Sequence, residues 1–192
     1  MQFFNKLTFT FAFLLSLIFQ VENVYASNLH FILGADYLVS DLKYSSSNQK
    51  NKNDSFVETS EDFKSFSPVI GLSAYGISLE AYILNSNAVK EGSIEAKLRA
   101  YGFDIAGEAS LSDNFTVIGS LGLVEYTFKT KQKGSREVEN DCSGPRAGVG
   151  LQYYISRNIA IRAMYHYTLL NSGENDRYKA ISEISAGIRF IF

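Results

Sequence analysis

Ser182-Glu183-Ile184-Ser185-Ala186-Gly187-Ile188-Arg189-Phe190-Ile191-Phe192 closes the chain. Ile184, Ala186, Ile188, Phe190 and Phe192 share one parity, and Glu183, Ser185, Gly187, Arg189 and Ile191 share the other. Successive side chains of a strand point to opposite faces, so this stretch reads as a β-strand with one apolar and one largely polar face. A terminal strand of an exported chain needs a partner on each edge, and closing the sheet into a barrel supplies both.

Export is written at the other end. Lys6 precedes the apolar run Leu7 to Phe19, and Val24-Tyr25-Ala26 follows as a small-residue cleavage site. A membrane-spanning helix wants about 20 apolar residues, and Gln20, Glu22 and Asn23 interrupt this run. Residues 1–26 are therefore expected to be a signal peptide, with residues 27–192 as the mature domain. A single cysteine forms no internal disulfide, and a net charge of −2 gives no reason to expect nucleic acid as a partner. Twelve tyrosines and fifteen phenylalanines beside two prolines favour strands.

Eight strands are expected: Asn28 to Ser40, Phe63 to Ala74, Ile77 to Asn85, Ile94 to Ala109, Phe115 to Lys129, Arg146 to Ile155, Ile159 to Leu169, and Lys179 to Phe192. Odd-numbered connections are long or strongly polar (Asp41 to Asp62, Ser86 to Ser93, Thr130 to Pro145, Leu170 to Tyr178). Even-numbered ones are brief (Tyr75-Gly76, Ser110 to Asn114, Ser156 to Asn158). All long loops thus leave one end of an up-and-down array. Charges and glycines share the face opposite the isoleucines and aromatics, which fits an eight-stranded antiparallel transmembrane barrel with a crowded polar interior.

The expected interior charge network comprises Asp36, Glu80, Glu95 and Glu183 with Lys97, Arg99, Arg146, Arg162 and Arg189. Near-matched numbers imply pairing, because an isolated interior charge is costly. In the fourth strand, Glu95, Lys97 and Arg99 are odd-numbered whereas Asp104 and Glu108 are even, so a bulge near Tyr101-Gly102-Phe103 is expected to turn all five inward. Pro68, inside the second strand, predicts a bulge or a break. In the fifth strand Thr116, Ser120 and Gly122 read as interior, which leaves Glu125 outward near the rim. Interface aromatics are expected at Tyr37, Tyr126, Phe128, Tyr165 and Tyr167 on the outer side and at Phe31, Tyr153, Phe190 and Phe192 on the periplasmic side. Cys142 is expected in an exposed loop.

With Gly187-Ile188-Arg189-Phe190 near its end, the chain resembles the small outer-membrane barrels of the outer-membrane protein A transmembrane domain and the opacity-protein group. The resemblance covers essentially the whole mature chain. It implies a bacterial outer-membrane location, a terminal strand in which Phe190 and Phe192 signal to the barrel-assembly machinery, and adhesion or cell contact through the external loops. Outer-membrane lipid and lipopolysaccharide are the expected surroundings, and a host-surface ligand is the expected loop partner.

Three other functions compete. A salt-bridge switch at Glu80 would open a narrow ion path. His166, Thr168 and Glu174 or Asp176 contain the ingredients of a lipid A-modifying acyl hydrolase, but the parity turns His166 inward, away from lipid. A soluble periplasmic ligand-binding barrel would need an apolar cavity where these charges point. No enzyme, cofactor or metal site is therefore expected; His30 and His166 stand far apart, and the glycine-rich phosphate loop is missing.

Overall fold

A computed structural model describes residues 29–44, 62–91, 94–132, 137–171 and 178–192. The expected signal peptide and most of the first and last long loops lie outside these residues. The elements are β1 (His30–Tyr44), β2 (Phe63–Ala74), β3 (Ile77–Ser86), β4 (Val89–Glu91), β5 (Ile94–Ser110), β6 (Phe115–Gln132), β7 (Val138–Ser156), β8 (Ile159–Leu169) and β9 (Tyr178–Ile191). Every pairing is antiparallel between sequence neighbours, β1 pairs with β9, and β3 pairs with β5. Because β4 resumes β3 after Asn87-Ala88 and also pairs with β5, the closed barrel has eight staves.

At the shortest turn, Tyr75 and Gly76 both have positive φ, 55° and 75°. That is the mirror-image two-residue turn whose twist matches the flanking strands, and glycine meets its second position without strain.

Outward positions in the lower part of the barrel are apolar and exposed, with Ile161 at 49%, Val149 at 56% and Leu121 at 70%. Arg162 and Arg189 point inward and are buried. Such a surface suits hydrocarbon rather than water, as in a barrel that spans a membrane. The parity expected for β6 holds, with Leu121 and Leu123 outward and Thr116 and Ser120 inside.

A transmembrane strand needs about 9–11 residues, whereas β5, β6 and β7 have 17, 18 and 19. Along these three strands the faces keep their parity but exchange polarity. Tyr101, Leu123 and Pro145 end the outward apolar band, and Arg99, Glu125 and Ser143 begin an outward polar one. Tyr101, Glu125 and Ser143 are cross-strand partners, so the exchange falls at one level. Inside, the opposite change occurs: Leu98, Val124, Tyr126, Phe128 and Cys142 pack with Leu38, Phe63, Leu84 and Ile181 into one apolar cluster. Below the exchange the barrel is polar inside and apolar outside. Above it the barrel has the polarity of a soluble protein, with its greasy face sealed within.

This exchange corrects several expectations. No register shift occurs in β5, and Glu95, Lys97 and Arg99 lie on its outer face, in water above the lipid. Their odd parity needs no bulge, since charges above the membrane turn outward for solvation. Tyr126 and Phe128 are interior packing residues, not interface aromatics. β7 begins eight residues earlier than expected, so Cys142 is a strand residue, buried in the outer apolar cluster. Pro68 pairs in regular register with Ala35, and the ladder to β3 lapses after Phe66 and resumes at Val69 without a shift. The missing N–H locally interrupts that ladder and no bulge forms.

Candidate functional site

The polar interior lies below the apolar cluster and is built by every long strand. Glu80 of β3 is its hub. Its Oε1 accepts from Arg162 Nη1 at 2.6 Å and from the Ser78 hydroxyl at 3.2 Å, and its Oε2 accepts from Arg189 Nε at 3.3 Å. Arg189 also donates both terminal nitrogens to Asp36, at 2.7 and 2.9 Å, a two-point clasp suited to the planar guanidinium. Arg162 continues to Gln152 at 2.8 Å and lies 3.6 Å from Glu108, which accepts from the Tyr154 hydroxyl at 2.9 Å.

A second group centres on Arg146. It lies 3.0 Å from Glu183 and 3.8 Å from Asp104, and its guanidinium stacks 4.6 Å from the Tyr82 ring centroid. Ser40 donates to Glu183 at 3.2 Å, and His166 Nε2 stands 3.7 Å from Asp104. Room for these long side chains comes from inward glycines. A Cβ at Gly122 would run into Asp104 Oδ1 and the Phe103 carbonyl, and one at Gly187 into Asp36 Oδ1 and the Ala35 carbonyl.

Of the nine charges expected inside, the structure brings together Asp36, Glu80, Arg146, Arg162, Glu183 and Arg189. It does not bring Glu95, Lys97 or Arg99 there. Asp104, Glu108 and His166, which their even parity was expected to turn inward, join the network. His166 is enclosed in this layer, and Thr168 hydrogen-bonds to Tyr126 at 3.2 Å. Glu174 and Asp176 lie outside the described residues. No group of three or more His, Cys, Asp or Glu among the described residues is arranged to hold a metal.

The outer storey presents a second site, the outward face of β5, β6 and β7. Lys97 stands directly across from Lys129, which would repel were each not matched by an acid. Lys97 lies 3.1 Å from Glu95, and Lys129 pairs with Glu139 and with Glu137 at 3.5 Å. The hydrogen bond from Lys97 holds the Glu95 carboxyl below its ordinary range, and the bond to Glu139 raises the Lys129 ammonium above its own. Thr127 donates to Asp141 at 2.8 Å. Arg99 and Lys131 lie on the same face.

At the periplasmic end Phe190 and Phe192 point outward, 40% and 64% exposed. Phe192 exchanges main-chain hydrogen bonds with Phe31 at 2.9 and 3.0 Å, so the last residue is stitched to the start of β1. Phe31 and Tyr153 are exposed at the same end, while Tyr37 and Tyr165 are exposed toward the outer one.

Residues 11–192 match the family model described as outer membrane protein beta-barrel domain. No curated protein sequence matches the chain. Among solved structures, Neisserial surface protein A is similar at 18% identity and a TM-score of 0.60, over 86% of this chain and 98% of that one. The attachment invasion locus protein of Yersinia pestis is similar at 14% identity and a TM-score of 0.56, over 86% and 99%. The N-terminal β-barrel domain of Pseudomonas aeruginosa OprF is similar at 13% identity and a TM-score of 0.55, over 84% and 97%. These likenesses are of fold.

Proposed function

As the chain belongs to the outer membrane protein β-barrel domain family, we propose that it is a surface contact protein, an adhesin that also contributes structurally to the envelope. One observation carries this reading: three strands rise above the lipid on a sealed apolar core and hold a charged sheet face in water. Rigid, raised and polar, that face is suited to a partner in the medium. The Yersinia protein has also been crystallised with the heparin analogue sucrose octasulfate, which supports a polyanionic class of partner here. Lys97, Arg99, Lys129 and Lys131 are the proposed contacts. Exposed Lys43 and Lys64, at the outer ends of β1 and β2, would meet lipopolysaccharide phosphates.

Reversing the four sheet cations to Glu is expected to lower adherence of expressing cells to sulfated-glycan surfaces at least several-fold, with the barrel still heat-modifiable on gels. Unchanged adherence rejects the assignment.

We also propose that residues 1–26 are removed on export and that Phe190 and Phe192 form the signal to the barrel-assembly machinery. Mass spectrometry of outer-membrane fractions is expected to find a chain starting at Ser27. Replacing both phenylalanines by Ala should reduce the amount recovered there. A chain still starting at Met1, or undiminished recovery, counts against the respective assignment.

A further inference from the structure

A groove of about 750 Å³ crosses the outer wall of the barrel, and its floor is main chain. Gly34, Val69, Tyr82, Gly102, Val124 and Gly144 are successive register partners on β1, β2, β3, β5, β6 and β7, all at inward positions that leave only backbone on this side. The outward residues beside them form the walls, Pro68, Ile83, Tyr101, Glu125 and Ser143 above and Leu33, Ile70, Phe103 and Leu123 below. The walls stand two residues apart, about 7 Å, and six adjacent strands span about 24 Å. Such a channel takes one extended hydrocarbon chain. Because barrel strands tilt, it runs obliquely. Its upper end reaches Asn171, beyond the outer end of β8, and its lower end reaches Leu33, the fourth residue of β1 from the periplasmic side. Polarity follows the slope: Leu33, Pro68, Ile70 and Ile83 line the lower end, and Glu125, Ser143 and Asn171 the upper one.

We propose that the groove is a binding site for one phosphatidylethanolamine molecule, with an acyl chain along its floor and the zwitterionic head at its upper end. An apolar cleft with a few polar groups converging at one place is the usual form of a small-ligand site, the polar groups fixing orientation. The charges at the upper end select the head. Glu125 receives the Tyr101 hydroxyl. Arg99, next above Tyr101 on the outward face of β5, is its diagonal neighbour across the ladder, roughly 7–8 Å away along the backbone. Among the described residues neither Glu125 nor Arg99 takes part in an ion pair. A phosphate on the guanidinium and an ammonium on the carboxylate satisfy both at once. An anionic head such as phosphatidylglycerol leaves Glu125 unmatched, and the trimethylammonium of phosphatidylcholine has no N–H to donate to it. The acid also separates this site from Lys43 and Lys64, where lipopolysaccharide phosphates are assigned.

Native mass spectrometry of the barrel released from nanodiscs tests this, the discs holding equal amounts of palmitoyl-oleoyl phosphatidylethanolamine, phosphatidylglycerol and phosphatidylcholine. The expected result is one retained phosphatidylethanolamine per barrel, favoured at least several-fold over either other lipid. Glu125→Gln should bring the three lipids toward equal retention. Ala81→Trp, which sets an indole into the groove from its lower wall, should abolish retention. Leu151→Trp, on the lipid-facing surface outside the groove, should change neither retention nor preference. Equal retention of the three lipids by the wild type, a preference for either competitor, a preference untouched by Glu125→Gln, or an Ala81→Trp barrel that behaves as Leu151→Trp would overturn the proposal. Should a variant fail to insert, the wild-type competition still decides.

Discussion

Glu80→Ala is expected to destabilise the barrel by about 3–5 kcal/mol, the range for removing one partner of a buried ion pair. Glu80 is 5% exposed and receives two guanidinium groups and a hydroxyl. Truncation leaves Arg162 and Arg189 buried beside each other with less negative charge between them. Arg189 keeps its clasp on Asp36, and Arg162 keeps Gln152 and the more distant Glu108. Those remaining partners set the loss within the range rather than above it. Urea unfolding in lipid vesicles, followed by gel mobility of the folded form, measures the change. The double replacement Glu80→Met with Arg162→Met should recover part of the loss, because packed apolar side chains avoid the desolvation penalty. Glu95→Ala is the internal control: that carboxylate is in water above the membrane, and its removal should leave the unfolding midpoint where it was. A Glu80→Ala loss below about 1 kcal/mol would mean that the interior tolerates an unmatched guanidinium.

The second large effect is on the opposite face. Val149 sits at the centre of the outward apolar run of β7, between Pro145 and Ser156, and is 56% exposed to the surroundings of the barrel. Val149→Arg places a guanidinium near the bilayer midplane, at a cost of about 2–4 kcal/mol. Leu169→Arg, at the outer end of β8 just before Asn171, should cost only about 0–1 kcal/mol, because the side chain reaches headgroups and water. The contrast between the two, measured in vesicles, is the decisive quantity. In a water-soluble barrel both positions would be surface and the two costs would be equal.

Most of the architecture was legible because alternation in β8 and β9 is almost unbroken. Ile159, Ile161, Ala163, Tyr165 and Tyr167 oppose Ala160, Arg162, Met164, His166 and Thr168, and the structure places the first set outward and the second inside. What failed was a tacit rule that charge means interior. In β5 that rule sends Glu95, Lys97 and Arg99 inward and demands a bulge; the even-numbered run Ala96, Leu98, Ala100 and Gly102 contradicts it. An apolar set that stays on one parity past a change of charge is the sign that the strand has left the lipid. The start of β7 was hidden for a related reason. Glu139 and Asp141 look like loop residues, and Gly144-Pro145 looks like a terminator, although β7 simply runs through it with its pairing to β6 intact.

The interior pairings were only partly legible. Parity shows which side chains point to the axis but not which strands face each other across it. That Glu80 meets Arg162 and Arg189, 82 and 109 residues away in sequence, follows from barrel closure alone.

The level at which β5, β6 and β7 exchange their faces also fixes how deep the molecule sits. Sinking by one residue pair would draw Arg99 and Glu125 into hydrocarbon, and rising by one would lift Tyr101 and Leu123 into water. A thinner or thicker bilayer must therefore adapt to this barrel at its outer edge, since the barrel has no vertical play with which to adapt to the bilayer.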